Sequence, residues 1–208
     1  MALSLARRHQ ILEWADRSQA WIIEDDYDSE FRYHGKPLPA LKSLDAPQRV
    51  IYAGTFSKAL FPALRCAWLV LPVKQIAQFR HQASLAPCAV PVLWQNTLAD
   101  FLREGHFWRH LKKMRQHYAQ RRQWIEQALT QQGFQVVPQK GGIQMVIRMI
   151  GDDIAHARKA NAAGLAVQAL SDWRIRSSGE GGLLLSFTNI VNEGMARQVA
   201  QQLRKALS

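Results

Sequence analysis

The chain has little cysteine and no apolar run long enough to cross a membrane. Only two of its 208 residues are cysteines, Cys66 and Cys88, and neither lies at a spacing typical of metal ligands. We therefore expect reduced thiols, no metal site and, since no secretory signal precedes the first predicted helix, a cytoplasmic location. A membrane-spanning helix needs about 20 consecutive apolar residues. The sequence contains no such run.

The sequence also lacks a helix-turn-helix, zinc-finger or RNA-binding motif, although its net charge is +11. Basic residues are dense between positions 103 and 122, where a nucleic-acid surface and a solvated helix face are both possible. The solvated face is favoured, because charge runs on helices usually face water. Hydrophobic content of 48% and charged content of 21% are ordinary for a globular protein with a packed core.

The first half of the chain predicts an α/β fold with a mostly parallel sheet. Apolar strands are predicted at 20–24, 49–53 and 66–71, joined by connections without hairpin turns. Helical spacing of apolar residues predicts helices at 3–18, 73–85 and 92–103. These elements form a predicted domain over residues 1–104.

A long helix, 106–132 with Gly133 as its cap, opens the second predicted domain, residues 105–208. A smaller α/β unit follows it. Strands are predicted at 134–138, 143–149, 165–168 and 182–187, and helices at 153–163 and 192–207.

Two strand ends carry the residues that suggest chemistry. Asp25 and Tyr27 are two positions apart, so their side chains project from one face of a strand while Glu24 projects from the other. The carboxyl ends of strands are where α/β sheets bind ligands. Taken alone, however, this pair is better explained as a capping or turn acid beside a half-buried tyrosine.

Lys58 follows the second strand closely, which is unusual because removing an ammonium group from water is costly. Thr55, Ser57 and Arg65 surround it in sequence and suit a phosphate monoester, together with a helix amino terminus expected after the strand. An amine, a phosphate pocket, an aspartate for a pyridine nitrogen and a phenol for a ring hydroxyl together predict a pyridoxal 5′-phosphate site.

Motifs along most of the chain resemble the MocR/GabR family of bacterial transcription regulators, within the GntR superfamily. The resemblance rests on residues 22–33, 35–42 and 54–58, on His110–Arg115 with Tyr118, Arg121 and Arg122, and on residues 182–189. It implies an effector domain of the fold-type I aminotransferase kind, of which this chain would be the carboxyl-terminal part. The DNA-binding domain and the first half of the aminotransferase-like domain would then be absent.

The resemblance also implies a role for each site residue. Lys58 would be the Schiff-base lysine, Asp25 the partner of the pyridine nitrogen and Tyr27 the partner of the ring 3-oxygen, while Thr55, Ser57 and Arg65 would hold the phosphate. Aminotransferases bind the substrate carboxylate with an arginine near the last strand. That segment here is apolar, which leaves Arg174 and Arg176 as substitutes.

Three functions follow as alternatives. The chain is the truncated effector domain of a regulator that senses an amino compound, a class I/II aminotransferase, or a remnant that no longer binds cofactor. For an intact regulator we expect a homodimer that binds DNA through its amino-terminal domain and has no membrane contact. Whether the chain transfers amino groups is left open by its sequence.

Overall fold

The computed structural model describes residues 3–35, 38–86, 90–175 and 179–208, which form two compact units. The first unit consists of Met1–Glu30 and Lys36–Leu111, and the second of Phe31–Gly35 and Lys112–Ser208. The predicted boundary at 104/105 stays a prediction. Within the described ranges no helix combines the length and apolarity needed to cross a bilayer.

The first unit contains a three-stranded sheet in the order β1-β2-β3. Strand β1 (Ile22–Asp26) pairs in parallel with β2 (Val50–Thr55), as predicted. Strand β3 (Ala67–Val70) runs antiparallel to β2, so this part of the sheet is only half parallel. The loop from 56 to 66 is short enough to return the chain directly alongside β2.

The sheet of the first unit is packed against helix α1 (Leu5–Arg17) on one face. Ser4 caps this helix, since its hydroxyl accepts from the N–H of Arg7. Leu12, Leu41 and Val50 form the buried cluster beneath it. Helices α2 (Ile76–Leu85) and α3 (Val92–Arg103) complete the unit, with α2 beginning later than predicted because a 3₁₀ turn occupies Val73–Gln75.

Helix α4 (His106–Gln131) runs from the first unit into the second. Its end confirms the predicted glycine cap: Gly133 has φ +81° and the N–H of Phe134 bonds back to the carbonyl of Leu129. This is the arrangement in which a left-handed residue satisfies the last carbonyls of a helix. In the basic stretch Arg122 is buried and pairs with Glu126, whereas Lys112 and Lys113 are exposed.

The second unit has an antiparallel sheet in the order β4-β6-β5, with β6 in the centre. Its strands are β4 (Gln144–Met149), β5 (Val167–Ala169) and β6 (Gly181–Ser186), and its helices are α5 (Asp153–Ala162), α6 (Glu193–Leu207) and the end of α4. One large core joins these elements, with Ile125, Leu129, Met145, Ile147, Leu183 and Leu203 among its buried members.

The strand predicted at 134–138 is wrong. Only an isolated bridge from Val136 to Ile147 forms there, with hydrogen bonds from Val137 to Val146 and from Arg148 to Gln135. Pro138 restricts φ to about −65°, far from the roughly −140° of a regular antiparallel strand, which disfavours extension of the pairing into a ladder.

Candidate functional site

The candidate site lies at the carboxyl ends of β1 and β2. Their register pairs Asp25 with Ala53 and Asp26 with Gly54, so Thr55 ends β2 one position beyond the end of β1. Paired residues of parallel strands project from the same face, and alternation puts Asp25 and Thr55 on one face. Asp25 is exposed there, two residues after the exposed Ile23.

Glu24 projects from the opposite face, as the strand alternation predicted, and its carboxylate already binds groups of the protein. Its two carboxylate oxygens accept the N–H groups of Leu41 at 2.6 Å and Lys42 at 2.8 Å. Arg8 lies 3.8 Å from the same carboxylate. Glu24 therefore holds the segment before the 3₁₀ turn at Lys42–Leu44, and Asp25 is the neighbouring acid that remains accessible to a ligand.

The third acid of the strand, Asp26, is also used by the fold. It accepts the Tyr52 hydroxyl at 3.0 Å and the Ser29 hydroxyl at 2.8 Å. Burial and this bond from Tyr52 to Asp26 raise the pKa of the Tyr52 hydroxyl far above its ordinary value. The Tyr52 hydroxyl therefore keeps its proton near neutral pH and stabilises the strand pair as a donor to Asp26.

Tyr27 continues the exposed face of β1 just past its end. Partial burial raises the pKa of its hydroxyl, and the charges of Asp28 and Asp25 raise it further. The Asp25 carboxylate is thus close enough to Tyr27 to act on it electrostatically. The phenol keeps its proton and can donate a hydrogen bond.

Lys58 is exposed on a turn, residues 57–59, that follows β2 directly. Beside it, the Thr55 hydroxyl oxygen lies 3.0 Å from the Ser57 hydroxyl oxygen and accepts the Ser57 N–H at 3.1 Å. The Cys66 carbonyl oxygen, 3.4 Å from the Thr55 hydroxyl, is a second acceptor for its single proton. The turn therefore offers an amine and a hydroxyl group within two residues.

Arg65 is exposed in the same loop, in a left-handed conformation with φ +50°. It ends a single 3₁₀ turn, Pro62–Leu64, and the N–H of Phe56 bonds to the Cys66 carbonyl to close the loop. The helix amino terminus expected after the second strand is absent from the loop, because the left-handed residue ends the turn and directs the chain into β3. A left-handed non-glycine residue is uncommon.

Arg174 lies in the second unit, in the loop before β6. Its guanidinium donates to the carbonyl of Glu180 and packs against Gly179, so it is tied to its own loop. Arg176 falls outside the described residues. Binding of a substrate carboxylate by either arginine stays a prediction, as do the roles assigned to the other site residues.

Sequence reasoning missed Asp153, the buried acid at the start of α5. Its carboxylate accepts the N–H groups of Gly182 at 2.8 Å and Ser171 at 3.2 Å. Burial alone would raise its pKa, but these bonds and the charge of Arg174 outweigh burial and hold the pKa below its ordinary value. In the sequence Asp152 and Asp153 both resemble helix-start acids, and only Asp152 caps the helix.

Comparison with known proteins agrees with this geometry. The model of the aminotransferase class I and II family matches residues 1–179. A probable rhizopine catabolism regulatory protein MocR of Rhizobium meliloti is 37% identical over 96% of this chain and 41% of its own length. The pyridoxine biosynthesis regulator PdxR of Corynebacterium glutamicum is 31% identical over 100% of this chain and 46% of its own length.

Among solved structures, a kynurenine aminotransferase of Pyrococcus horikoshii superposes with a TM-score of 0.88 at 25% identity, covering 100% of this chain and 52% of that one. The predicted fold is therefore confirmed: the chain is part of a fold-type I transferase domain. The resemblance to MocR-type regulators is confirmed by the curated relatives. The chain spans about half the length of the proteins it matches.

Proposed function

The chain belongs to the aminotransferase class I and II family, and on that premise we propose that it is part of the pyridoxal phosphate-binding effector domain of a MocR-type transcription regulator. The observation that carries the proposal is the exposed Lys58 on a turn directly after β2, at the edge where β1 presents Asp25 and Tyr27. The curated relatives covering nearly all of the chain support the regulator over other members of the family.

The residues at this edge fit the cofactor chemically. When bound, pyridoxal phosphate supplies an aldehyde with which an amine condenses with loss of water, and a ring that withdraws electrons. Lys58 provides the amine. The Ser57 hydroxyl and the Arg65 guanidinium are groups of the kind that donate to a phosphate.

Asp25 and Tyr27 would orient the ring. The exposed Asp25 carboxylate would accept a hydrogen bond from a protonated pyridine nitrogen and would favour the proton staying on that atom. The Tyr27 hydroxyl, whose pKa is raised by burial and by Asp28 and Asp25, stays protonated and would be able to donate to a ring oxygen. Glu24 and Asp26 cannot replace Asp25 without breaking the bonds they make to Leu41, Lys42 and Tyr52.

Sensing would consist of an exchange of amines. A small amino compound would take the place of the Lys58 amine at the cofactor and release the lysine, and this release would change the population of conformations of the domain. In a longer parent protein, an amino-terminal domain would bind DNA and respond to this change. A homodimer of that parent is part of the same proposal.

The first experiment tests whether Lys58 holds the cofactor. Pyridoxal phosphate is added to the purified chain, the visible absorption band of lysine-bound cofactor is recorded, and the bond is trapped with borohydride and mapped by peptide mass. The matched control is Lys74→Ala, another exposed lysine of the first unit. We expect the band in wild type and Lys74→Ala, and no band in Lys58→Ala. An unchanged band in Lys58→Ala contradicts the assignment, and no band in any variant favours the remnant.

The second candidate function is amino transfer, favoured by the close structural likeness to the archaeal aminotransferase. Repeated product formation distinguishes an aminotransferase from a sensing domain. The chain loaded with cofactor is mixed with panels of amino and oxo acids, and product is counted per site. A regulator module exchanges its bound amine once or not at all, whereas repeated product formation that disappears in Lys58→Ala establishes the enzyme.

A further inference from the structure

The turn that carries Lys58 is held on both sides. Before the lysine, Ser57 is fixed by its N–H bond to the Thr55 hydroxyl. After it, Ala59 is only 1% exposed and lies in a buried cluster with Phe107 and Leu111 of helix α4. The N–H of Leu60 bonds to the carbonyl of Phe56 at 2.8 Å and closes the turn around Lys58.

His110 supplies the polar contact of helix α4 to this turn. Its Nε2 lies 2.8 Å from the carbonyl oxygen of Ala59. A carbonyl can only accept a hydrogen bond, so Nε2 must carry the proton and the tautomer is determined by the contact. The bond is partly buried, where loss of a donor is costly because the carbonyl is left without a partner.

The helix presents the other contacts on the same side. Phe107, His110 and Leu111 are three and four positions apart, the spacing at which side chains share one face of a helix. Phe107 also meets the ring of Phe56 edge to face, with ring centroids 5.6 Å apart. Phe56, just before the turn, and Ala59, its last residue, are therefore both held by one face of α4, while Lys58 itself is exposed.

We infer that His110 is a positioning residue for Lys58. Through the Ala59 carbonyl it fixes the backbone from which the lysine side chain extends, so less conformational freedom is lost when the amine binds a cofactor. His110 itself touches neither the amine nor the ligand. The effect of His110 on cofactor binding rests on the proposed function. Its stabilisation of the turn through the Ala59 carbonyl does not.

Three variants separate the hydrogen bond from packing. His110→Phe keeps a ring and removes the donor, His110→Gln keeps a donor, and His117→Phe makes the same change at an exposed histidine of the same helix. In the cofactor-free chain, hydrogen exchange of the Leu60 amide is measured. We expect exchange about fivefold faster in His110→Phe, near wild type in His110→Gln, and unchanged in His117→Phe. Equal exchange in His110→Phe and His117→Phe overturns the inference.

Cofactor loading gives the second readout. The concentration of pyridoxal phosphate that half-saturates the band of lysine-bound cofactor should rise about fivefold in His110→Phe and recover in His110→Gln. Unchanged half-saturation in His110→Phe also overturns the inference. If wild type itself shows no band, the proposed function is contradicted but the inference about His110 is not. Hydrogen exchange of the Leu60 amide then decides the role of His110.

Discussion

Gly54 and Trp68 face each other across β2 and β3, and the indole ring of Trp68 fills the space that a side chain at position 54 would need. A Cβ atom at Gly54 would come within 2.4 Å of the ring carbons. The ring cannot easily move away, because it packs against Phe56 with centroids 4.6 Å apart. The strand that leads to Lys58 thus requires a glycine four residues before the lysine.

We therefore expect Gly54→Ala to lower the free energy of unfolding by about 1–3 kcal/mol through overpacking. Urea unfolding followed by circular dichroism measures it. The double variant Gly54→Ala/Trp68→Leu provides room for the methyl group and should be less destabilised than the sum of its single changes. Strictly additive losses would show that the contact with Trp68 is not the cause.

Glu24→Gln and Asp25→Asn form a matched pair on opposite faces of β1. Glu24→Gln places an amide donor against the N–H groups of Leu41 and Lys42, and should cost about 2 kcal/mol of stability. Asp25→Asn alters an exposed side chain, should change stability by less than about 0.5 kcal/mol, and should instead shift the spectrum of bound cofactor. Equal destabilisation by both variants would contradict the division of roles.

Asp153→Asn should expose a pH-dependent contribution to the stability of the second unit. The folded pKa of Asp153 lies below the ordinary pKa of an aspartate, so its carboxylate stabilises the fold at higher pH and this stability is lost as pH falls through the folded pKa. We expect the variant to be about 2 kcal/mol less stable at pH 7, with a gap to wild type that narrows below about pH 4. Urea midpoints at several pH values measure it, and a gap independent of pH would disprove the assignment.

The exposed face of the first sheet should drive self-association. Ile23 and Leu69 are 73% and 51% exposed on that face, and β1 is an edge strand within the described part of the chain. Light scattering at rising concentration should be lower for Ile23→Thr/Leu69→Thr than for wild type. The control is Ile150→Thr/Ile175→Thr, two exposed isoleucines of the second unit. An equal decrease in light scattering in the control variant would show that the exposed sheet face is not the cause of self-association.

The sequence predicted well what depends on neighbours along the chain. Alternation placed Asp25 and Glu24 on opposite faces of β1, and Gly133 marked the end of α4. It could not predict what Glu24 and Asp153 bind, because their partners are backbone N–H groups 17 and 29 residues away. Such partners depend on tertiary packing and have no local pattern.

The antiparallel direction of β3 was missed for a related reason. Apolar content identifies a strand, but its direction is determined by the loop before it. That loop contains the left-handed Arg65, a conformation that the residue type does not indicate. The segment at 134–138 was misassigned because its apolar residues match a strand, whereas the restricted φ of Pro138 disfavours regular strand geometry.

The chain passes between its two units three times: after Glu30, after Gly35 and within α4 after Leu111. The short segment Phe31–Gly35 brings the fully buried Phe31 into the second unit, where its ring contacts that of Tyr118 at 5.1 Å. A peptide of residues 112–208 would therefore lack part of its own core. Exchanging this unit between related regulators would require transplanting two separate segments together, so recombination at a single point cannot transfer it intact.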